Sequence, residues 1–273
     1  MTMTIMLELL IMSQLAVSTP HWRPAGDTCA HRPEDQVASI HCLVQLDREA
    51  PPLPRILPDK DVTTCSSSLL DPILIARERS IQNAVVWIES IEALPPPVEP
   101  MKLDLLVRGC LFEPRVQVGR TGAVLTLHSE DPLTHNPHAW LDDSTTIFNI
   151  TILDPSLSFK KKLRKAGIYR VDCDTHSWMR AYVAVFDHPW FGKTDSTGLA
   201  IINGVSAGNH VVHVWHEVLG EEILNVSVEQ NTANHITVIL PLRDVRSEKL
   251  RPATVASWPV LPAGESKGPE KPK

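Results

Sequence analysis

Short segments in which apolar and polar residues alternate dominate the sequence, a pattern typical of half-buried β-strands. The clearest of these segments are residues 37–46, 123–128 and 145–153. Residues 85–88 form a β-branched cluster, which favours a strand over an amphipathic helix. Residues 181–186 form an apolar run of the length expected of a buried strand. These segments predict an all-β protein.

The spacing of three side chains predicts a metal site at the end of one such strand. Cys173, His176 and Met179 are spaced C-x2-H-x2-M, directly after the strand predicted to end at Val171. This spacing places a thiolate, an imidazole and a thioether around one tight turn. Copper binds two histidines and a cysteine in a trigonal plane with a long axial methionine, so one more histidine is needed. His135 can supply it.

These residues resemble the cupredoxins, most closely the amicyanin and plastocyanin-like branch with its short C-x2-H-x2-M ligand loop. In that branch an asparagine directly follows the first ligand. The sequence His135 followed by Asn136 therefore maps His135 to the ligand and Asn136 to the residue that ties the two loops together. His138 is the alternative first ligand.

The resemblance implies a cupredoxin-like Greek-key β-sandwich that holds one type 1 copper ion. Pro137 stands where the family often has valine, and Ser177 where it often has proline. Neither change removes a donor atom, although either would alter the stiffness of the loop. The metal ligands implied by the resemblance are His135, Cys173, His176 and Met179.

A second resemblance concerns the later part of the chain. The segments Thr-Asp-Ser-Thr-Gly at 194–198 and Ser-Ala-Gly at 206–208 are similar to turns of carboxypeptidase-regulatory or transthyretin-like β-sandwiches, where the second segment is usually Pro-Pro-Gly. A small second sandwich of this kind is therefore expected. The predicted division is a possible export signal and leader (1–35), a cupredoxin-like copper domain (36–187), the second sandwich (188–243) and a disordered tail (244–273).

The five cysteines indicate an oxidising compartment. Besides Cys173, the remaining four form an even set that allows two disulfides in three connectivities. Cys65 and Cys110 each lie close to a predicted strand of the copper domain, which favours that bridge, and Cys29 with Cys42 then follows by elimination. Four reduced, buried cysteines are the alternative. Disulfides persist in exported proteins.

The first residues resemble a degraded secretory signal. An apolar segment at residues 5–15 precedes small residues at 16–18, although Glu8 interrupts it and no lysine or arginine comes before it. No later stretch reaches about 18 apolar residues, so no membrane-spanning helix is expected. A periplasmic or otherwise exported location is predicted.

Composition and charge limit the classes of function that the protein can have. The chain of 273 residues has ordinary globular composition, and its net charge of -6 gives no overall attraction to nucleic acid. The prediction is a blue copper protein that carries single electrons between redox partner proteins and is not an enzyme, because histidine-rich segments for further coppers are not found. The alternatives are a copper carrier or store, and a structural or binding module with a vestigial site.

Overall fold

The computed structural model describes residues 38–89, 97, 99–142 and 144–242. Within these ranges the regular structure is almost entirely β-strand, in sheets that pack on one another, which confirms the predicted all-β class. Helical structure in the described ranges is limited to α1 (Val62–Cys65) and a 3-10 turn at Pro72–Leu74. No helix in the same ranges has the length and apolar character needed to cross a membrane.

The described residues form twenty strands. The first ten are β1 (Ala38–Leu46), β2 (Arg55–Ile56), β3 (Leu69–Leu70), β4 (Ala76–Arg77), β5 (Ser80–Ile81), β6 (Val85–Ile88), β7 (Lys102–Arg108), β8 (Leu111–Glu113), β9 (Val116–Arg120) and β10 (Val124–Ser129). The others are β11 (Pro137–Leu141), β12 (Thr145–Asn149), β13 (Ser158–Lys162), β14 (Gly167–Cys173), β15 (Arg180–Phe186), β16 (Phe191–Lys193), β17 (Leu199–Val205), β18 (Gly208–His216), β19 (Gly220–Val228) and β20 (Ala233–Leu240).

Four sheets contain most of these strands. Sheet I has the order β17-β1-β5-β4, with β20 also paired to β1, and sheet II has the order β16-β6-β18-β19. Sheet III has the order β12-β11-β14-β15-β9, and sheet IV has the order β13-β10-β7-β8. β2 and β3 form a small separate pair.

Three apolar clusters lie between these sheets. Ile40 and Val86 belong to the cluster between sheets I and II, and Leu105 and Val183 to the cluster between sheets III and IV. A third, aromatic cluster joins sheets II and III. Its buried members are Val85, Trp87, Val116, Ile168, Tyr182, Ala184, Phe186 and Trp215.

β15 is buried on both faces, which explains its uninterrupted apolar sequence. Successive side chains of a strand point to opposite faces. Residues 182, 184 and 186 therefore enter the aromatic cluster, whereas residues 181, 183 and 185 enter the core between sheets III and IV. Tyr182 meets the ring of Trp215 edge to face at 5.3 Å between ring centroids.

The sheets do not divide at the predicted boundary of residue 187. β1 and β6 lie within the predicted copper domain. They pair with β17, β20 and β18 from the later part of the chain. The sheets around the C-x2-H-x2-M loop are built from β7 to β15 instead. Periodicity identifies a strand and its buried face but not the strand beside it. The sequence therefore could not reveal that β1 and β6 pair with later strands.

The predicted Thr-Asp-x-x-Gly turn between β16 and β17 is present. Asp195 Oδ1 accepts hydrogen bonds from the backbone N–H groups of Thr197 and Leu199, at 2.8 and 3.2 Å. Gly198 has a φ of +80°, and a Cβ there would lie 2.8 Å from the carbonyl oxygen of Val44. The turn therefore requires glycine. The likeness of residues 188–243 to transthyretin-like domains stays a prediction.

A buried ion pair links sheets II and III. Arg115 precedes β9, and Glu217 follows β18. Arg115 Nε donates to Glu217 Oε1 at 2.6 Å, and Arg115 Nη2 donates to Oε2 at 2.7 Å. The two side chains are only 6% and 3% exposed. Without Glu217, Arg115 would keep only the more distant Asp71, whose Oδ1 lies 3.6 Å from Arg115 Nη1, so most of the compensation of its buried charge would be lost.

We therefore expect Glu217→Gln to lower the free energy of unfolding by about 3–5 kcal/mol, measured by urea denaturation. The matched control is Glu130→Gln, which breaks the pair between Arg108 Nε and Glu130 Oε2 at a similar distance of 2.7 Å on the surface. That control should lose far less stability, because solvent screens exposed pairs. Equal losses in the two variants would contradict a role for burial.

Candidate metal centre

The C-x2-H-x2-M segment forms the turn of the β14–β15 hairpin. The backbone N–H of Cys173 donates to the carbonyl of Met179 at 3.2 Å, and that of Met179 donates to the carbonyl of His176 at 3.0 Å. At the base of the hairpin, Arg180 donates two hydrogen bonds to the carboxylate of Asp172, at 2.6 and 3.1 Å. These contacts close the segment into one tight turn, as its spacing predicts.

His135 approaches this turn from the neighbouring strand. Pro137, the first residue of β11, pairs with Cys173 in antiparallel register. Just before β11, the backbone of His135 forms a bridge with Ile152 through hydrogen bonds of 3.1 and 2.8 Å. The backbone on both sides of His135 is thus fixed beside the turn.

The donor atoms of His135, Cys173 and His176 all lie within 4.8 Å of one another. Nδ1 of His135 is 3.1 Å from Nδ1 of His176, which is 3.8 Å from Sγ of Cys173. Metal–nitrogen bonds of about 2.0 Å and metal–sulfur bonds of about 2.3 Å can span such separations from one point. The residues are 0%, 2% and 0% exposed. A soft transition metal such as copper fits this donor set.

Met179 and His138 have different relations to the cluster of three donors. Met179 lies on the same turn and is fully buried in the core that contains Cys173. His138 Nδ1 instead lies 3.1 Å from Asp174 Oδ2, and its ring stacks on Trp140 with 3.7 Å between centroids. The described structure therefore brings His135, and not the alternative His138, to Cys173.

The cluster favours a thiolate at Cys173. Burial alone would raise the pKa of this thiol, but hydrogen bonds from His135 and from the backbone outweigh burial and lower the pKa to about 6. Burial alone would also lower the pKa of His135, but contacts with Asp131 and Cys173 raise it to about 9. The thiolate is the form of cysteine that binds metals.

Asn136 ties the two donor segments together, the role that the resemblance implied. Its backbone N–H donates to Sγ of Cys173 at 3.4 Å, and its carbonyl accepts a hydrogen bond from the backbone N–H of Asp174 at 3.0 Å. Its side-chain amide donates to the carbonyl of Ile150. A hydrogen bond donated to the sulfur stabilises the thiolate relative to the thiol.

The predicted disulfide between Cys65 and Cys110 is present, and it lies against the cluster. Its two sulfur atoms and a ring nitrogen of His176 lie within 4.8 Å of one another. The other predicted pairing differs, because Cys42 is a free thiol in the core between sheets I and II. Its predicted partner, Cys29, lies outside the described residues.

Two carboxylates beside the cluster were not found by sequence reasoning. Asp61 Oδ2 is 3.0 Å from Nε2 of His176, and Asp131 Oδ2 is 3.2 Å from Nε2 of His135, the latter without hydrogen-bond alignment. Asp131 lies four residues before His135, a spacing that offered a local signal. Asp61 is 115 residues from His176, and no local pattern predicts that contact.

No model of a known protein family matches the sequence, and no curated protein gives a significant sequence match. Similar solved structures include cupredoxins. A purple cupredoxin from Nitrosopumilus maritimus is 18% identical over 30% of this chain and 98% of its own, with a TM-score of 0.28. Amicyanin from Paracoccus versutus is 14% identical over 37% of this chain and 96% of its own, with a TM-score of 0.28.

A copper-containing nitrite reductase from Thermus scotoductus is 19% identical over 32% of this chain and 23% of its own, also with a TM-score of 0.28. At TM-scores this low, none of these likenesses carries a conclusion about function. The geometry of the three donors is what supports a metal centre.

The metal-free protein should titrate its Cys173 thiol with a midpoint near pH 6, measured by the ultraviolet absorption of the thiolate. The difference from Cys173→Ser removes the signals of other thiols, and Cys42 does not interfere because burial raises its pKa to about 12. His135→Gln should raise the midpoint, since the imidazole that stabilises the thiolate is lost. A midpoint near pH 9 in the unchanged protein would contradict stabilisation of the thiolate by its hydrogen bonds.

The pH dependence of the free energy of unfolding is a poorer measure of the interaction between Cys173 and His135. The lowered pKa of Cys173 makes the folded state more stable as pH rises from about 6 to 9.0. The raised pKa of His135 makes it less stable as pH rises from 6.5 to about 9. The two contributions therefore oppose each other over most of this range.

Proposed function

We propose that this protein is a type 1 copper protein that carries single electrons between redox partner proteins. The proposed ligands are His135, Cys173, His176 and Met179. The observation that carries the proposal is the convergence of two imidazole nitrogens and one sulfur around a single buried point. Bound there, copper would supply one-electron chemistry by alternating between its +1 and +2 states.

The environment of the donors suits electron transfer because it limits their movement. The turn that holds Cys173, His176 and Met179 is closed by backbone hydrogen bonds, and His135 is anchored by its bridge to Ile152. Side chains in a close-packed interior have little room to rearrange. Donors that stay in place when the charge of the ion changes keep the reorganisation energy low, which favours rapid electron transfer.

Burial of the donors favours an electron carrier over an enzyme or a copper carrier. His135, Cys173 and His176 are at most 2% exposed in the described structure, so these side chains offer a small substrate very little open surface. A protein that delivers copper must expose its ligands to the acceptor of the metal. The arrangement therefore supports retention of the ion and exchange of electrons.

The proposed location is an exported, oxidising compartment such as the periplasm. The disulfide between Cys65 and Cys110 supports it, because such bonds are rare in the reducing cytosol. The proposed partners are redox proteins. Nucleic acid is disfavoured as a partner by the net charge of -6.

One equivalent of Cu(II) should give an intense visible absorption band and an electron-spin-resonance signal typical of a copper–thiolate bond. Cys173→Ser should abolish the band, because the sulfur that causes it is gone. His138→Ala is the matched control and should retain it, since His138 contacts Asp174 and not the donor cluster. An absorption band of equal intensity in Cys173→Ser would contradict the proposal.

Competition with a copper chelator separates the electron carrier from the copper carrier. Retention of Cu(I) and Cu(II) during repeated cycles of reduction and oxidation is expected for an electron carrier. Release of Cu(I) to the chelator in each reduced half-cycle would instead show that the same site delivers the metal.

A further inference from the structure

A carboxylate flanks each imidazole of the donor cluster at the ring nitrogen that does not face the other donors. Nε2 of His176 lies 3.0 Å from Asp61, and Nε2 of His135 lies 3.2 Å from Asp131. An ionised carboxylate can only accept hydrogen bonds. In a neutral His176 the proton therefore stays on Nε2, and Nδ1 directs its lone pair into the cluster. Asp131 acts on His135 through its charge, because this contact lacks hydrogen-bond alignment.

One disulfide holds both carboxylates in these positions. The carbonyl of Asp61 accepts hydrogen bonds from the backbone N–H groups of Thr64 and Cys65, at 2.9 and 2.8 Å. Cys65 is bonded to Cys110, whose backbone N–H donates to Oδ2 of Asp131 at 2.8 Å. The two aspartates, far apart in sequence, are thus joined through a single covalent bridge beside His176.

The negative charges of these aspartates have a predictable effect on a cation held by the imidazoles. A carboxylate that accepts the outer N–H of a histidine makes the ring a stronger donor and fixes its orientation. The attraction between the carboxylate and the ion also grows with the charge of the ion. Both effects stabilise a doubly charged ion more than a singly charged one.

Building on the copper function proposed above, we propose that Asp61 is a positioning residue that orients His176, and that the charges of Asp61 and Asp131 together favour Cu(II) over Cu(I). The bridge between Cys65 and Cys110 keeps both carboxylates in place. The copper centre thus depends on a segment, residues 61–65, that lies far from the ligands in sequence.

Asp61→Asn is the sharpest test. Asparagine has the same size and can still accept a hydrogen bond, so chiefly the charge is removed, and the 40% exposure of the Asp61 side chain makes the change easy to accommodate. The ratio of Cu(II) affinity to Cu(I) affinity should fall about tenfold. Converted at 59 mV per tenfold for one electron, the reduction potential should rise by about 59 mV.

Asp174→Asn is the matched control. It removes one negative charge beside Cys173, but its carboxylate contacts His138 and Asn149 instead of a proposed ligand. Its potential should change by much less than that of Asp61→Asn. Asp131→Asn provides a second arm and should shift the potential in the same direction as Asp61→Asn.

Asp131→Asn needs a check of folding, because the carboxylate of Asp131 also accepts hydrogen bonds from Gly109 and Cys110. Far-ultraviolet circular dichroism provides that check, and Asp61→Asn carries the test if Asp131→Asn does not fold. A larger rise of the reduction potential in Asp61→Asn than in Asp174→Asn supports the inference.

A normal copper–thiolate band in the unchanged protein, with equal shifts in Asp61→Asn and Asp174→Asn, overturns this inference and leaves the proposed function standing. Absence of that band in the unchanged protein overturns both. The two failures are therefore separated by one spectrum recorded before the redox titration.

Discussion

Burial of β15 on both faces is the constraint on which the rest of the structure depends. Tyr182, Ala184 and Phe186 enter the aromatic cluster between sheets II and III, and the side chains of residues 181, 183 and 185 enter the core between sheets III and IV. A slip of one residue in its register would exchange the two sets, placing Tyr182 and Phe186 where Ala181 and Val185 now pack. The register that pairs Asp172 with Arg180 is therefore strongly specified. The position of the turn from Cys173 to Met179 is therefore also fixed, because this turn connects β14 to β15.

The same packing explains why the two sandwiches form one compact unit within the described part of the chain. Sheet II covers one face of sheet III, so neither could present this face to water without exposing the large rings of Trp87, Phe186 and Trp215. The buried pair of Arg115 and Glu217 adds a polar link at this boundary, with both nitrogen–oxygen contacts satisfied. The hairpin that holds the metal donors is therefore supported from both sides, by sheet IV on one face and by sheet II on the other.

The parts of the site that the sequence could predict are the local ones. Cys173, His176 and Met179 lie on one turn, so their spacing alone places them together, and the asparagine after His135 identified the second segment. The pairing of β1 with β20 and the contact of Asp61 with His176 depend on packing between distant parts of the chain. Alternation of apolar residues says which face of a strand is buried but not which sheet covers it. The bridge between Cys65 and Cys110 was predicted, but its position beside His176 could be learned only from the fold.

The arrangement of the donors also has a cost for the metal-free fold. Two Nδ1 atoms lie 3.1 Å apart in a buried space, and their lone pairs repel each other unless a proton or a metal ion lies between them. The raised pKa of His135 is consistent with the proton taking that place, with the thiolate of Cys173 as its counter-charge. A bound cation would replace this proton and meet the same thiolate. Because ligand binding stabilises the folded state, uptake of a metal ion at this site would be coupled both to proton release and to stability. The packing around β15, which keeps the donors close without a metal, therefore also makes them ready to receive one.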